Sequence, residues 1–251
     1  MKTDKKRCTA IILAAGSGKR MHSDVAKQFM PVAGKPLVWY SLQAVEQSEI
    51  IDDCILVTGP DDISYVKTEI VDKYGFSKVD MIVAGGRERY ESVGNALAVM
   101  ADGDRRIPNR DGYVFIHDGA RPFLTEEILQ NTYRAVQAYH ACVAAMPSKD
   151  TIKLSDAQGF AAQTPDRKTV WNVQTPQVFD TKLAVEAYER LHDELPALVS
   201  KNITVTDDAM VVELFTDVKV KLVEASYRNI KVTTPEDIQI AEALLGVQRE
   251  R

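Results

Sequence analysis

Cysteine and histidine are scarce in this chain and poorly placed for metal or redox chemistry. Its 251 residues include 3 cysteines, Cys8, Cys54 and Cys142, and 4 histidines, at positions 22, 117, 140 and 192. The cysteines are odd in number, far apart and without CxxC spacing, so reduced thiols are expected rather than a disulfide framework. No HExxH or comparable pairing offers a zinc site. Nor is there a Ser–His–Asp or Cys–His constellation to supply a covalent nucleophile. Apolar runs stay well below the ~18 residues a membrane helix requires. The charged start MKTDKKRC leads only into a short apolar run broken by Gly16, so no signal peptide is read and a cytoplasmic enzyme is expected. Internal repeats and low-complexity tracts are absent. The formal charge of −5 and pI near 5.5 argue against nonspecific nucleic-acid binding, but leave room for a local basic pocket.

What the chain has is alternation. Short apolar runs at 9–14, 53–58, 79–84, 113–117 and 141–146 are dense rather than strictly alternating, as in strands covered on both faces. Between them, Ile63, Val66, Ile70 and Tyr74 recur at helical spacing before a capping Gly75, and Val93, Ala96, Leu97 and Met100 do the same. Thr125 followed by Glu126 and Glu127 reads as a helix start. Repeated strand–helix units predict an α/β fold with a doubly wound, mostly parallel sheet. Ligands of such sheets bind beyond the carboxyl ends of the strands, here the loops 14–28, 85–92 and 117–122.

After Pro147 the helical period stops. The stretch 148–178 contains a hairpin pattern, IKLSDAQGFAA, and is read as an arm leaving the sheet. The chain as a whole, 1–251, is read as one domain with 148–170 as a protruding β-arm. Helices are expected again at 181–193 and 207–215, then strands at 218–223 and 230–233. A last helix opens with Thr234-Pro235-Glu236-Asp237, an N-cap with proline at the first helical position.

The first strand ends in LAAGSGKRM, with Lys27 close behind. A Walker loop is excluded, because Gly18-Lys19 is followed by Arg20 and no glycine stands five residues before Gly18. A dinucleotide fingerprint fails at Met21, and no acid closes the next strand, which ends Leu56-Val57-Thr58. A solvated turn is the plain alternative. Against it stands the grouping of Lys19, Arg20 and Lys27 beside glycines whose N–H groups can approach an anion. Two unit charges ~4 Å apart repel by roughly 4 kcal/mol at an effective dielectric of ~20, and a bound triphosphate turns that repulsion into attraction.

LAAGSGKRM with Lys27-Gln28-Phe29, HDGARP at 117–122, DTIK at 150–153, TPDRKTVWNVQTPQVF at 164–179, TDDA at 206–209 and NIKVTTPEDI at 229–238 form an ordered set. That set resembles the 2-C-methyl-D-erythritol 4-phosphate cytidylyltransferases of the nucleotidyltransferase superfamily, from about residue 9 to 245. The resemblance implies a Rossmann-like nucleotidyltransferase fold and transfer of CMP from CTP to methylerythritol phosphate, with Mg²⁺ present and pyrophosphate released. By the same resemblance, Arg20 and Lys27, with Lys231, stabilise the transition state at the α-phosphate. Ala14, Ala15, Gly16, Gly18, Lys19, Lys27, Gly86, Arg87, Ser92, Asp118 and Ala120 hold the nucleotide. Asp118 holds the metal, although by itself it also reads as a loop cap paired with Arg121. Asp118, Arg121, Thr151, Arg167, Thr175, Thr206 and Lys231 surround the acceptor, and the arm crosses to a second subunit so that Thr151 and Arg167 serve the partner's site in a homodimer.

Two departures from the family pattern stand out: Arg228 replaces an acid common before NIKVT, and Ser148 replaces a larger residue. A sister enzyme acting on ribitol 5-phosphate shares the fold and the chemistry, but LAAG in place of LAGG favours the methylerythritol enzymes. A non-catalytic nucleotide-binding regulator would be expected to lose Arg20, Lys27 or Lys231, and all three are present.

Overall fold

The computed structural model describes residues 5–16, 26–101 and 111–246. Its centre is a seven-stranded sheet in the order β11-β7-β10-β6-β1-β4-β5. The strands are β1 (Cys8–Ala14), β4 (Asp53–Thr58), β5 (Val79–Ala84), β6 (Tyr113–Asp118), β7 (Ala141–Pro147), β10 (Trp171–Asp180) and β11 (Lys221–Glu224). β4 and β6 are buried along their whole length, which is why they read as continuous apolar runs. β1 is parallel to both β4 and β6, with Thr9 opposite Asp53 on one side and Leu13 opposite Asp118 on the other. The strand order therefore reverses between β1 and β6. β10 alone runs antiparallel, wedged between β6 and β7.

Side chains alternate across the sheet, so neighbours on β1 serve opposite cores. Ile12 faces one layer, with Leu42 and Val45 of α1 (Leu37–Gln47), Ile128 and Val136 of α4 (Glu126–Tyr139), and the helix formed by α2 (Ile63–Tyr65) and its wider-turned continuation Val66–Asp72. Ile11 faces the other, with Val93 and Leu97 of α3 (Arg89–Ala101), Tyr188 and Leu191 of α5 (Thr181–Ser200), and Val211 and Val212 of α6 (Asp208–Phe215). A third cluster, Val32, Leu37, Ala120, Val232 and Ala241, docks the hairpin β2–β3 (Pro31–Val32 and Lys35–Pro36) and α7 (Pro235–Leu244) near the carboxyl end of β6. No helix among the described residues is long and apolar enough to cross a membrane.

The local signals behave as their chemistry requires. Gly75 takes a φ of +69° at the helix end. Thr125 Oγ1 accepts from the Ile128 N–H at 3.3 Å, and Thr234 with Asp237 forms a capping box around Pro235. Four expectations need correction. Residues 171–178, read as the end of the irregular stretch 148–178, belong to the ten-residue strand β10 (Trp171–Asp180), where Gln174, Thr175 and Gln177 find partners inside the protein. The helix expected over 181–193 runs on to Ser200 with Pro196 inside it. The strand expected at 218–223 is confined to Lys221–Glu224. Residues 230–233 form no strand; Val232 N–H reaches the Ala120 carbonyl at 2.8 Å without building a ladder. Within 148–170, β8 (Leu154–Ser155) and β9 (Ala161–Gln163) make a small hairpin whose residues are exposed.

Candidate active site

The reversal of strand order between β1 and β6 opens a crevice at their carboxyl ends. A cleft there is lined by Ala14, Ala15 and Gly16 after β1, by Gly86, Arg87 and Ser92 after β5, by Asp118 and Ala120 at the end of β6, and by Lys27 and Lys231. Leu13, Gln28, Glu88 and Arg89 complete the wall.

Close backbone approach shapes the cleft. A Cβ on Gly85 would stand 2.4 Å from the Ala15 Cβ and 2.9 Å from Ser92 Oγ, so only glycine lets the loops after β1 and β5 meet. The Ser92 hydroxyl accepts from Gly86 N–H at 3.1 Å and donates to the Glu88 carbonyl at 3.2 Å, fixing the turn. Glu91 accepts from the Arg87 and Glu88 N–H groups at 2.6 and 3.2 Å, capping α3. Gly119 N–H donates to the Leu13 carbonyl at 2.9 Å, tying the second crevice wall to the first.

Asp118 is the electrostatic centre. Its Oδ2 lies 2.8 Å from Lys231 Nζ and 3.6 Å from Arg121 Nε, and its Oδ1 lies 3.4 Å from Arg89 Nε. Burial alone would raise the carboxyl pKa, but Arg89, Lys231 and Arg121 outweigh it and hold the group far below the usual carboxylate range. One carboxylate thus serves three cations, and Lys27 adds a fourth positive side chain to the cleft. Asp208 also pairs with Arg89, and Lys27, Arg89, Arg121 and Lys231 together give the cleft the positive side chains a polyphosphate requires.

Lys231 is delivered by a stitched segment. Arg121 Nη1 donates to the Asn229 carbonyl at 2.8 Å, and buried Asn229 Nδ2 donates to Thr175 O at 2.8 Å and Gln174 Oε1 at 3.1 Å. Lys27 Nζ reaches the Val232 carbonyl at 3.4 Å.

Beneath Asp118 lies a chain whose proton directions are determined. The Arg121 carbonyl can only accept, so the His117 ring proton sits on Nε2, 3.2 Å away. In the neutral ring Nδ1 then accepts from the Thr175 hydroxyl at 2.9 Å, and Thr175 Oγ1 itself accepts from the Asp118 N–H at 3.1 Å. Burial pulls the His117 pKa down to about 4, in keeping with this neutral form.

Of the residues singled out from sequence, the cleft brings together Ala14, Ala15, Gly16, Lys27, Gly86, Arg87, Ser92, Asp118, Ala120 and Lys231. Arg121 stands beside it, and Thr175 lies underneath with its hydroxyl engaged by His117 and Asp118. Thr151, Arg167 and Thr206 lie elsewhere: Thr151 is exposed, Arg167 Nη1 donates to Lys149 O at 3.3 Å, and Thr206 Oγ1 sits 3.6 Å from Met210 Sδ. Gly18, Lys19 and Arg20 lie outside the described residues. Arg228 donates through Nη2 to the Leu244 carbonyl at 2.7 Å, capping α7 rather than facing the cleft. The sequence reading assigns no role of their own to Arg89, His117, Tyr188 and Asp208: Arg89 falls within the loop 85–92, His117 opens HDGARP and Asp208 belongs to TDDA, while Tyr188 carries no signal.

Among the described residues no three His, Cys, Asp or Glu side chains cluster to cage a metal. The donor set, one buried carboxylate in a cationic cleft, fits a Mg²⁺ carried in by phosphate oxygens, which takes only one or two carboxylates from the protein.

A reversed parallel sheet, glycine-shaped loops and a carboxylate ringed by cations define a nucleotidyltransferase-type α/β enzyme. Residues 8–247 match the family model IspD, 2-C-methyl-D-erythritol 4-phosphate cytidylyltransferase. The enzyme of that name from Lachnospira eligens is 48% identical over 237 residues, covering 94% of this chain and 98% of the relative. That from Lachnoclostridium phytofermentans is 45% identical over 240 residues, covering 96% and 97%. The crystal structure of 4-diphosphocytidyl-2C-methyl-D-erythritol synthase from Anaerococcus prevotii superposes with a TM-score of 0.78 at 36% identity, covering 97% of this chain and 100% of that one. The chain belongs to the 2-C-methyl-D-erythritol 4-phosphate cytidylyltransferase family.

Proposed function

We propose that this chain transfers a cytidylyl group from CTP to the phosphate of 2-C-methyl-D-erythritol 4-phosphate. A phosphate oxygen of the acceptor bonds to the α-phosphorus as the bond to the β-phosphate bridging oxygen breaks, and pyrophosphate leaves. Family membership along nearly the whole chain carries the reading, and the cationic ring on Asp118 suits the chemistry.

Negative charge grows on the equatorial oxygens of phosphorus during such a displacement, so the task is positioning plus fixed positive charge. Lys27 and Lys231, with Arg20, are the cations we assign to that charge. The backbone of the loop after β1 lines the triphosphate and the base, while the loop after β5, whose own N–H groups are taken by Thr58, Ser92 and Glu91, holds the base by its shape and side chains. Mg²⁺, bound by Asp118 and the phosphates, offsets polyphosphate charge when present.

Thr151 and Arg167, which do not line the cleft of their own chain, serve the neighbouring subunit in our reading. An exposed hairpin with Phe160 73% and Leu154 48% accessible supports an arm exchanged across a homodimer. Three buried, unpaired cysteines accord with a cytoplasmic enzyme.

The deciding assay is pyrophosphate release from CTP with methylerythritol phosphate and, in parallel, with ribitol phosphate. Turnover is expected with the first alone; turnover only with the second moves the enzyme to the sister activity.

A further inference from the structure

Arg89 approaches Asp118 with its edge only. The fork of its guanidinium turns the other way, where Nη1 and Nη2 donate to Oδ1 and Oδ2 of Asp208 at 2.6 and 2.7 Å. Asp208 is wholly buried, and the Tyr188 hydroxyl donates to its Oδ1 at 2.6 Å. Three helices of one layer therefore meet at one guanidinium: Arg89 opens α3, Tyr188 sits in α5 and Asp208 opens α6. The start of α6 is fixed in turn. Asp207 accepts from the Met210 N–H at 3.0 Å, while Gln177 of β10 accepts from Ala209 N–H at 2.8 Å and donates to Asp207 at 2.9 Å.

A fork bound by both oxygens of one carboxylate fixes the guanidinium plane, and with it the direction of Nε. It also removes a competitor. Were the fork free, it could grip both oxygens of Asp118 and displace Lys231. Held by Asp208, it offers Asp118 a single 3.4 Å contact on Oδ1 and leaves Oδ2 to Lys231 at 2.8 Å.

We infer that Arg89 is a positioning residue for cytidylyl transfer: clamped by Asp208 and Tyr188, it orients the Asp118 carboxylate and keeps Oδ2 available to Lys231. The inference deepens the proposed function and rests on it. It assigns the second aspartate of TDDA a part in the reaction, exercised through two other side chains. Lysine is a poor substitute, since a single ammonium cannot hold two carboxylates at a set angle.

Wild-type turnover of CTP with methylerythritol phosphate tests the reaction itself; the variants test the clamp. Tyr188→Phe removes one hydrogen bond at almost constant volume and is expected to lower kcat about fivefold. Arg89→Lys and Asp208→Asn are expected to lower it about 30-fold. KM for CTP should stay within about twofold in all three, because the lost interaction is felt in the transition state. Crystal structures of Tyr188→Phe and Arg89→Lys should show the Asp118 carboxylate rotated out of its pairing with Lys231. Wild-type kcat in these two proteins, with only a lowered Tm, overturns the inference. An unmoved Asp118–Lys231 pair in Arg89→Lys overturns it too, whatever the activity. If Asp208→Asn fails to fold, Tyr188→Phe and Arg89→Lys decide alone.

Discussion

Lys231 Nζ and Asp118 Oδ2 lie 2.8 Å apart, joining a loop near the end of the chain to the tip of a central strand. The pair is asymmetric. Without Lys231, Asp118 keeps Arg89 and Arg121; without Asp118, three cations lose their common partner. Lys231→Met is therefore expected to fold with nearly unchanged Tm while kcat falls about 100-fold or more, the usual loss for one group facing transition-state charge. Asp118→Asn is expected to cost about 3 kcal/mol of stability as well, because it strands buried positive charge. Urea unfolding beside single-turnover rates checks both, and a larger Tm loss in Lys231→Met than in Asp118→Asn contradicts the asymmetry.

His117 makes stability depend on pH. The folded ring stays neutral down to about 4, whereas the ordinary value is near 6.5. Between these values the unfolded chain binds a proton that the folded chain refuses, so stability falls as pH drops through that window. The slope approaches about 1.4 kcal/mol per pH unit, or roughly 3 kcal/mol in all. His117→Gln lacks this titration. Its deficit relative to wild type should therefore shrink from pH 7 to pH 4.5, as read by urea denaturation; a constant deficit removes the buried neutral histidine from the explanation.

Glycines 85 and 94 should respond in opposite ways to alanine. At Gly85 the new Cβ has no room against Ala15 and Ser92, so Gly85→Ala is expected to cost about 2 kcal/mol and to raise KM for CTP at least about tenfold by separating the two loops. At Gly94, inside α3, the new Cβ meets only Tyr188 Cδ1 at an ordinary 3.7 Å. Gly94→Ala is expected to stabilise by up to about 1 kcal/mol through helix propensity, with activity unchanged. Melting curves and CTP saturation curves on both variants check the pair.

The contrast between these glycines also marks what could be read in advance. The buried strands β1, β4, β6 and β7 announce themselves because both faces need apolar side chains, the half-buried edge strand β5 keeps an apolar run, and the loops after them follow from topology. β10 is hidden because Asn172, Gln174, Thr175 and Gln177 look solvated, when Gln174, Thr175 and Gln177 in fact pair with Ser226, His117 and Asp207. Propensity has no access to such partners. Arg89 and Asp208 meet only after three helices pack, so no local period or spacing encodes them. Lys231, by contrast, was picked out through the family's NIKVT pattern, and its neighbour Arg228 turned out to serve the end of α7.

Arg167 and Lys27 should complement each other across subunits. Arg167 lies exposed on the segment carrying the hairpin, bonded to Lys149 O, while Lys27 lines the cleft of its own chain. If each site takes Lys27 from one subunit and Arg167 from the other, Arg167→Ala and Lys27→Ala homodimers are both impaired. A mixed dimer, however, holds one site with both mutations and one with neither. Random exchange at equal concentrations makes half the dimers mixed, so activity should recover to about one quarter of wild type. Native mass spectrometry confirms exchange, and the pyrophosphate assay reads the recovery. Activity no greater than the mean of the two parents, with mixed dimers present, means Arg167 serves its own chain or none, and the arm then only holds the subunits together.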